Sequence, residues 1–313
     1  MRPRLEIRHL EMMLAISEHH TLAEAARALR VTPSALSHRI REAERRLGVS
    51  LYQKRGRSLR PTVAVDILAN TAERLLSDLT QSERLAVAST EGVRHLIRLT
   101  VGVYNSFHWL PDFLAEFRKA HPEIDIDVEA DAVLNPFENL ASGAIDLVIS
   151  QNVVLPAIFD ALPLFTDELV AVTAPGHPFC DREFVEPEDF LEETNLTYSM
   201  VRQPGFESDR FWALSDVRPA HDVKIGSVEA ICELVKAGFG VSILSRWALK
   251  PHFEAGTLQA TRLGCDGVDI TWNVALRSAA DKKAPERTIA RALARWFGAH
   301  PPTSDELQRR QKQ

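Results

Sequence analysis

Thr21-Leu22-Ala23-Glu24-Ala25-Ala26-Arg27-Ala28-Leu29-Arg30-Val31-Thr32-Pro33-Ser34-Ala35-Leu36-Ser37-His38-Arg39-Ile40-Arg41 is the stretch from which the rest of the chain is read. Its first four residues have the capping-box pattern, in which a hydroxyl oxygen accepts the third amide hydrogen of a helix and a glutamate reaches back to the cap amide. A helix is predicted to start there. Leu22, Ala25, Ala26 and Leu29 share one face of it, with Glu24, Arg27 and Arg30 outside. Val31 then fills a turn, Thr32 stands as a second N-cap, and Pro33 takes the first helical position, where a missing amide hydrogen costs nothing. The second helix is predicted to run to about Leu47 and to stop at Gly48. Two helices joined by a turn of about three residues make a helix-turn-helix unit.

In such a unit the second helix enters the major groove of DNA by its N-terminal turns. Here those turns offer Thr32, Pro33, Ser34, Ser37, His38 and Arg41. Leu36, Ile40, Ala43 and Leu47 recur at helical spacing and are predicted to pack inward, leaving Arg45 and Arg46 for phosphates or solvent. The segment from Leu51 to Thr62 reads as two strands around a glycine turn, a wing with Lys54, Arg55, Arg57 and Arg60 at its tip and flank. These cations read as phosphate contacts, and for any one of them a solvated surface charge is the competing reading.

Charge is segregated in the same sense. The whole chain of 313 residues carries −6, yet residues 1–60 hold thirteen Lys and Arg against six Glu, so a +7 head is joined to a −13 body. A polyanion is the direct partner for the head, since each neutralised phosphate releases counterions. With 45% hydrophobic and 26% charged residues, the chain is long enough for two or three packed domains. Cys180, Cys232 and Cys265 lie far apart without CxxC spacing, which suggests neither a disulfide framework nor a zinc site and fits a reducing cytoplasm. No apolar stretch approaches the roughly 18 residues of a membrane span, and Met1-Arg2-Pro3-Arg4 leads straight into a periodic segment. A soluble, unexported, cytoplasmic protein is expected.

These residues closely resemble the LysR-type family of transcriptional regulators, over nearly the whole chain. The resemblance is carried by Leu10, Thr21-Leu22-Ala23-Glu24-Ala25-Ala26, Pro33-Ser34-Ala35-Leu36-Ser37, Leu47-Gly48-Val49 and Leu51-Tyr52. One departure follows the wing, where the family usually has a glycine and this chain has Pro61-Thr62-Val63-Ala64-Val65. The resemblance implies an α/β protein: an N-terminal winged helix-turn-helix, a long linker helix, and a two-lobed effector domain like the periplasmic solute-binding proteins. The corresponding boundaries are 1–62, 63–91 and 92–300, with a tail at 301–313. From Pro61 to about Ser89 the pattern is one helix, striped by Val65, Leu68, Ala72, Leu75, Leu79 and Ala86. The family makes a dimer through this helix. A homodimer or homotetramer on a dyad-related site in double-stranded DNA is therefore implied, with RNA polymerase a further candidate partner. Packing on its own body is the competing reading of the stripe.

Beyond Gly92, strands are predicted at 97–103, 124–129, 145–150, 168–173, 196–199, 224–226, 240–244 and 270–277. Helices are predicted at 107–120, 136–142, 187–192, 206–215, 228–236 and 285–297. The first lobe would comprise 92–165 and 269–300, the second 166–268. Two chain crossings make a hinged cleft, and strand ends and helix starts facing a cleft are the default ligand site. The candidates are Asn105, Ser106, Phe107, His108 and Trp109 after the first strand, Ser150 and Gln151 after another, then Tyr198, Met200 and Arg202, and Ser227 opening a helix. Each has a structural competitor: Ser106 and Ser227 as caps, Trp109 as core, His108 as an exposed ring, Arg202 as a surface charge. Hydroxyls and amides at helix starts suit a carboxylate or similar anion.

Within the family, Ser34-Ala35-Leu36-Ser37-His38, Trp109-Leu110, Ile145-Asp146-Leu147-Val148 and Ala174-Pro175-Gly176-His177-Pro178 resemble most the regulators of methionine biosynthesis. That implies homocysteine as coeffector, no other cofactor, and methionine-pathway genes as targets. Three rivals are weighed. An enzyme would need a catalytic set, and HExxH, GxSxG and Walker motifs are all missing. A thiol redox sensor would need a reactive cysteine, whereas Cys232 sits on an apolar face beside Ile231 and Val235. A transport binding protein would be expected to carry an export signal.

Overall fold

Capping chemistry sets the helices of the head: α1 (Ile7–Glu18), α2 (Leu22–Ala28) and α3 (Pro33–Leu47). The computed structural model describes residues 3–301, except 20, 56–57, 103, 105, 131, 133–134, 152–154, 199–205 and 279–283. Thr21 Oγ1 accepts from the Glu24 amide at 3.2 Å and Glu24 Oε2 accepts from the Thr21 amide at 3.1 Å, so the capping box forms as read. Thr32 Oγ1 caps α3 by accepting from the Ala35 amide at 3.2 Å, and Gly48 ends it with φ 78°. Between α2 and α3, Arg30 takes φ 54°, the one non-glycine residue in the left-handed region among the described residues. Met12, Met13, Ala25, Ala26, Leu36, Ile40 and Ala43 form the buried core of this trihelical unit.

Strands β1 (Tyr52–Arg55) and β2 (Ser58–Pro61) pair antiparallel as the predicted wing. Glu44 of α3 anchors its root by accepting from the Leu51 amide at 2.8 Å. The long helix α4 (Val63–Ala88) starts two residues later than the sequence suggested, because Pro61 still pairs with Tyr52 and Thr62 takes the N-cap position. α4 packs against α1 and buries Val65 and Ala72, so the early part of the predicted stripe is consumed inside the head. Leu75 and Leu79 stay exposed, as do Val63 at 72%, Ile67 at 68% and Val87 at 73%. The chain divides into two compact units, Met1–Leu96 with Ala141–Ala144, and Ile97–Leu140 with Ile145–Gln313.

The larger unit alternates strands and helices: β3 (His95–Val101), α5 (Leu110–Ala120), β4 (Ile124–Val128), α6 (Pro136–Ser142), β5 (Leu147–Gln151), β6 (Phe159–Thr173), β7 (Phe184–Val185), β8 (Thr194–Thr197), α7 (Glu207–Arg210), β9 (His221–Lys224), α8 (Val228–Lys236), β10 (Ser242–Ser245), α9 (Lys250–Glu254), β11 (Gln259–Leu263), β12 (Val268–Arg277) and α10 (Pro285–Ala299). One curled sheet runs β4-β3-β5-β12-β6-β11-β7, with β10 also on β6, while β8 and β9 form a separate parallel pair. A first lobe packs α5 and α10 on β3, β5 and the later half of β12, around Leu99, Phe113, Trp272, Leu293 and Phe297. A second lobe gathers around Leu169, Phe190, Phe211 and Val268 on one side and Ile231, Val235 and Leu258 on the other.

Several expectations are corrected. β6 begins at Phe159 and not at 168, and it runs through both lobes against β12. Pro163 hides this in the sequence, since proline removes a ladder donor; it is tolerated beside a bulge, where the register shifts and Leu164 has no partner on β12. α5 starts at Leu110, leaving Phe107, His108 and Trp109 of the predicted helix outside it. The helix read at 187–192 is a 3-10 turn (Pro187–Phe190), and that at 206–215 is α7 followed by a 3-10 turn (Trp212–Leu214). Strands β7 and β11 and helix α9 have too little periodicity to announce themselves.

Within the first lobe, Asp146 accepts from Arg98 Nε at 3.0 Å, from the Arg98 amide at 3.0 Å and from Arg277 Nη2 at 2.7 Å. Burial alone would raise its pKa, but these bonds from Arg98 and Arg277 outweigh it and hold the carboxyl below the ordinary aspartate value. Asp146→Ala removes the carboxylate that Arg98 and Arg277 share in the first lobe, and a loss of about 3–5 kcal/mol is expected in urea unfolding at neutral pH. The sign with pH follows from the lowered folded pKa: the contribution is complete above the unfolded value and fades as pH falls through the folded one. An Asp146→Ala variant as stable as the parent at neutral pH, with the same acid sensitivity, would remove this pair from the account.

Candidate nucleic-acid interface and effector cleft

On the head, Pro33, Ser34, His38 and Arg41 are exposed on the first three turns of α3, and Ser37 is half-buried beside them. Thr32 is exposed too, with its side-chain oxygen engaged in the cap. His38, Arg39, Arg41 and Arg45 line a shallow depression of about 680 Å³, which Arg8 of α1 joins. The sequence reading did not single out Arg8 or Arg39; Arg8 reaches this face only through the packing of α1 on α3, which no local pattern reports.

Arg46 corrects another expectation. It donates to Glu42 Oε1 at 2.6 Å and to the Arg4 carbonyl at 3.2 Å, and pairs with Glu6 at 2.5 Å. Hydrogen bonding from Arg46 lowers the Glu42 pKa, and the bonds to Glu42 and Glu6 raise that of Arg46. The arginine is thus occupied in tying α3 to α1. Glu42 also receives Arg8 Nη2 at 3.3 Å and lies 3.5 Å from Nε2 of the buried His9. In the wing, Lys54 and Arg55 stand on β1 next to the turn, and Arg57 lies outside the described residues.

In the larger unit, parallel β3 and β5 end side by side. Ser150 Oγ lies so near Gly102 that a Cβ there would come within 3.4 Å of it. Gln151 and Thr100 are buried, and among the described residues neither Gln151 Nε2 nor Thr100 Oγ1, of a residue the sequence reading passed over, has a hydrogen-bond partner. Ser106 does not cap α5: its hydroxyl donates to the Ala248 carbonyl at 2.9 Å and lies 3.0 Å from His108 Nδ1. His108 packs on Trp247 with centroids 5.0 Å apart; loss of water there, together with the Lys250 charge, lowers its pKa. Phe107 is half-buried against the first-lobe core. Trp109 is core, wedged among Phe113, Trp296 and Phe297, so its plain reading was the right one.

Ser227 caps α8 through the Ala230 amide at 3.4 Å, and Tyr198 packs half-buried on the second-lobe core. Asn105, Met200 and Arg202 lie outside the described residues. Among the described residues no cluster of His, Cys, Asp and Glu is arranged to hold a metal ion, and no helix is long and apolar enough to cross a membrane. Cys232 is buried and its thiol is pushed up to about 11 by burial, the opposite of what a reactive thiolate requires.

Residues 7–65 match the family of bacterial regulatory helix-turn-helix proteins of the lysR type, and residues 90–298 match the LysR substrate binding domain. The chain belongs to the LysR family. This LysR regulator is a DNA-binding transcription factor with an effector-binding domain, and not an enzyme. It is 27% identical over 288 residues to the HTH-type transcriptional regulator MetR of Salmonella typhimurium, covering 92% of this chain and 89% of that one. The regulatory domain of a MetR from N. meningitidis superposes with TM-score 0.54 at 24% identity, covering 66% of this chain and 95% of that domain. CbnR, a LysR family transcriptional regulator, gives TM-score 0.69 at 18% identity, covering 93% and 99% of the two chains, and it has also been solved with its target DNA.

Arg41→Ala is expected to weaken binding to a specific site by about 1–3 kcal/mol while leaving random DNA nearly unaffected. Arg46→Ala should lower the melting temperature of the protein and leave the salt dependence of DNA binding unchanged, because its charge is already paired. Gel-shift titrations at several salt concentrations separate the two; equal losses on specific and random DNA for Arg41→Ala would count against base readout.

Proposed function

We propose that this LysR regulator controls methionine-pathway genes in response to homocysteine, acting in the cytoplasm as a homodimer or homotetramer on dyad-related sites in double-stranded DNA. The observation that carries the reading is the similarity to MetR along 92% of the chain. Pro33, Ser34, Ser37, His38 and Arg41 read base edges, Thr32 holds the start of α3 against the backbone, and Lys54, Arg55 and Arg57 of the wing meet phosphates. Val63, Ile67, Leu75, Leu79 and Val87 of α4 supply the apolar surface that a second copy covers.

The effector enters where β3 and β5 end, with Ser106, Phe107, His108, Ser150 and Gln151 on the first lobe and Tyr198, Met200, Arg202 and Ser227 on the second. The unpartnered Gln151 Nε2 supports an effector that brings an acceptor, such as the carboxylate of an amino acid. For the ligand to regulate, it must bind one arrangement of the dimer more tightly than another.

Homocysteine at about 100 times its Kd is expected to raise the melting temperature by roughly 5–10 °C, with methionine as the comparison. No saturable shift with homocysteine, but one with another metabolite, keeps the regulator and discards the methionine assignment. Leu79→Glu should move the assembly toward monomer in sedimentation and weaken binding to a two-half-site operator more than to a single half-site. An unchanged assembly would place the interface elsewhere.

A further inference from the structure

Asp167 stands where β6 passes between the lobes, half-buried. Its two oxygens receive four hydrogens. Oδ2 accepts from Ser245 Oγ at 2.5 Å and Trp272 Nε1 at 3.0 Å, and Oδ1 accepts from the amides of Trp247 at 3.0 Å and Glu168 at 2.7 Å. An ionised carboxylate offers about four lone-pair sites and no donor, so the set is filled. Desolvation nonetheless raises the pKa of Asp167, which marks the site as an expensive place for a charge.

The donors come from β12, from the end of β10 and the turn that follows it, and, for the Glu168 amide, from β6 itself. That segment, Ser245 to Leu249, belongs to both lobes: Trp247 sits among first-lobe aromatics, 4.7 Å from Phe165 and 4.9 Å from Trp272, while Leu249 lies in the second-lobe core. Its turn is closed by the Ala248 amide donating to Ser245 Oγ at 3.0 Å. From there three ties reach the segment before α5. The Ser245 amide donates to the Tyr104 hydroxyl oxygen at 2.9 Å, Ser106 Oγ donates to the Ala248 carbonyl at 2.9 Å, and the His108 ring packs on Trp247. None of these is a rung of a strand ladder. They spend a half-buried charge on holding two loops against each other, which apolar packing alone would do without fixing their register.

We propose that Asp167 is the positioning residue of the effector cleft: it fixes the Ser245–Leu249 turn and, through Ser245 and Tyr104, the segment that carries Ser106 and His108. The inference rests on the reading of that cleft as the effector site. Asp167 does not touch the ligand; it sets the geometry into which the ligand fits.

The test uses the full chain with Asp167→Asn and Tyr104→Phe, singly and together, read by amide hydrogen exchange and by calorimetric titration with homocysteine. Asparagine keeps the shape but turns an NH2 against one of the existing donors, whichever way it lies. Phenylalanine removes only the acceptor for the Ser245 amide. Each variant is expected to speed exchange at Ser106–His108 and at Ala248–Leu249 by tenfold or more, while α8 and α10 keep parental rates, and to raise the homocysteine Kd at least threefold. The double variant should be no worse than the worse single one. Unchanged exchange in the two loops, equal acceleration throughout the unit, or additive effects in the double variant would overturn the proposal. If Asp167→Asn fails to fold, Tyr104→Phe decides by the same criteria. If the parent does not bind homocysteine, the exchange measurement still decides on Asp167, and only the methionine reading falls.

Discussion

Antiparallel pairing of β6 with β12 is the constraint on which the larger unit depends. Val268 pairs with Leu169 in the second lobe and Arg277 with Phe159 in the first, so a single ladder passes through both hydrophobic cores. Each lobe then adds its own strands to this spine, β5 to β12 on one side and β10 and β11 to β6 on the other. A polar ladder crossing between two cores must satisfy its side chains at the crossing. Asp167 and Glu168 do so in opposite directions, Asp167 toward Ser245 and Trp272, Glu168 toward Arg246 and Arg262. The bulge at Leu164 lies just before this point and adds twist where the sheet changes lobes.

The head solves a different problem, that of presenting a cationic helix without destabilising itself. Thirteen basic residues within residues 1–60 repel one another unless some are neutralised internally. Glu42 and Glu6 take up Arg46 and Arg8, and the same pairs fix the angle of α3 against α1. The other arginines of α3, Arg39, Arg41 and Arg45, share the open side with His38. Division of labour among arginines on a single helix is therefore a matter of what each meets across the packing interface.

That division explains what was legible in the sequence. Capping box, first-turn proline, helix-stop glycine and wing are local patterns, and all were readable because their chemistry is complete within a few residues. Arg46 and Trp109 were not, since an arginine on a helix or a tryptophan after a strand looks the same whether it faces solvent, ligand or core. β6 was half-read because Pro163 breaks the alternation that would have revealed it. The polar side chains around the cleft were recognisable by type, but Thr100 and the Asp167–Ser245–Tyr104 chain emerge only when β3, β6 and β10 come together.

The Arg98–Asp146–Arg277 group has a consequence for how this protein can change over generations. Replacing both members of a buried ion pair by apolar residues is often neutral, whereas replacing one strands a charge in the core. The two states are thus separated by intermediates that fold poorly. Single-step routes away from the trio therefore pass through less stable proteins, whatever its own contribution to stability.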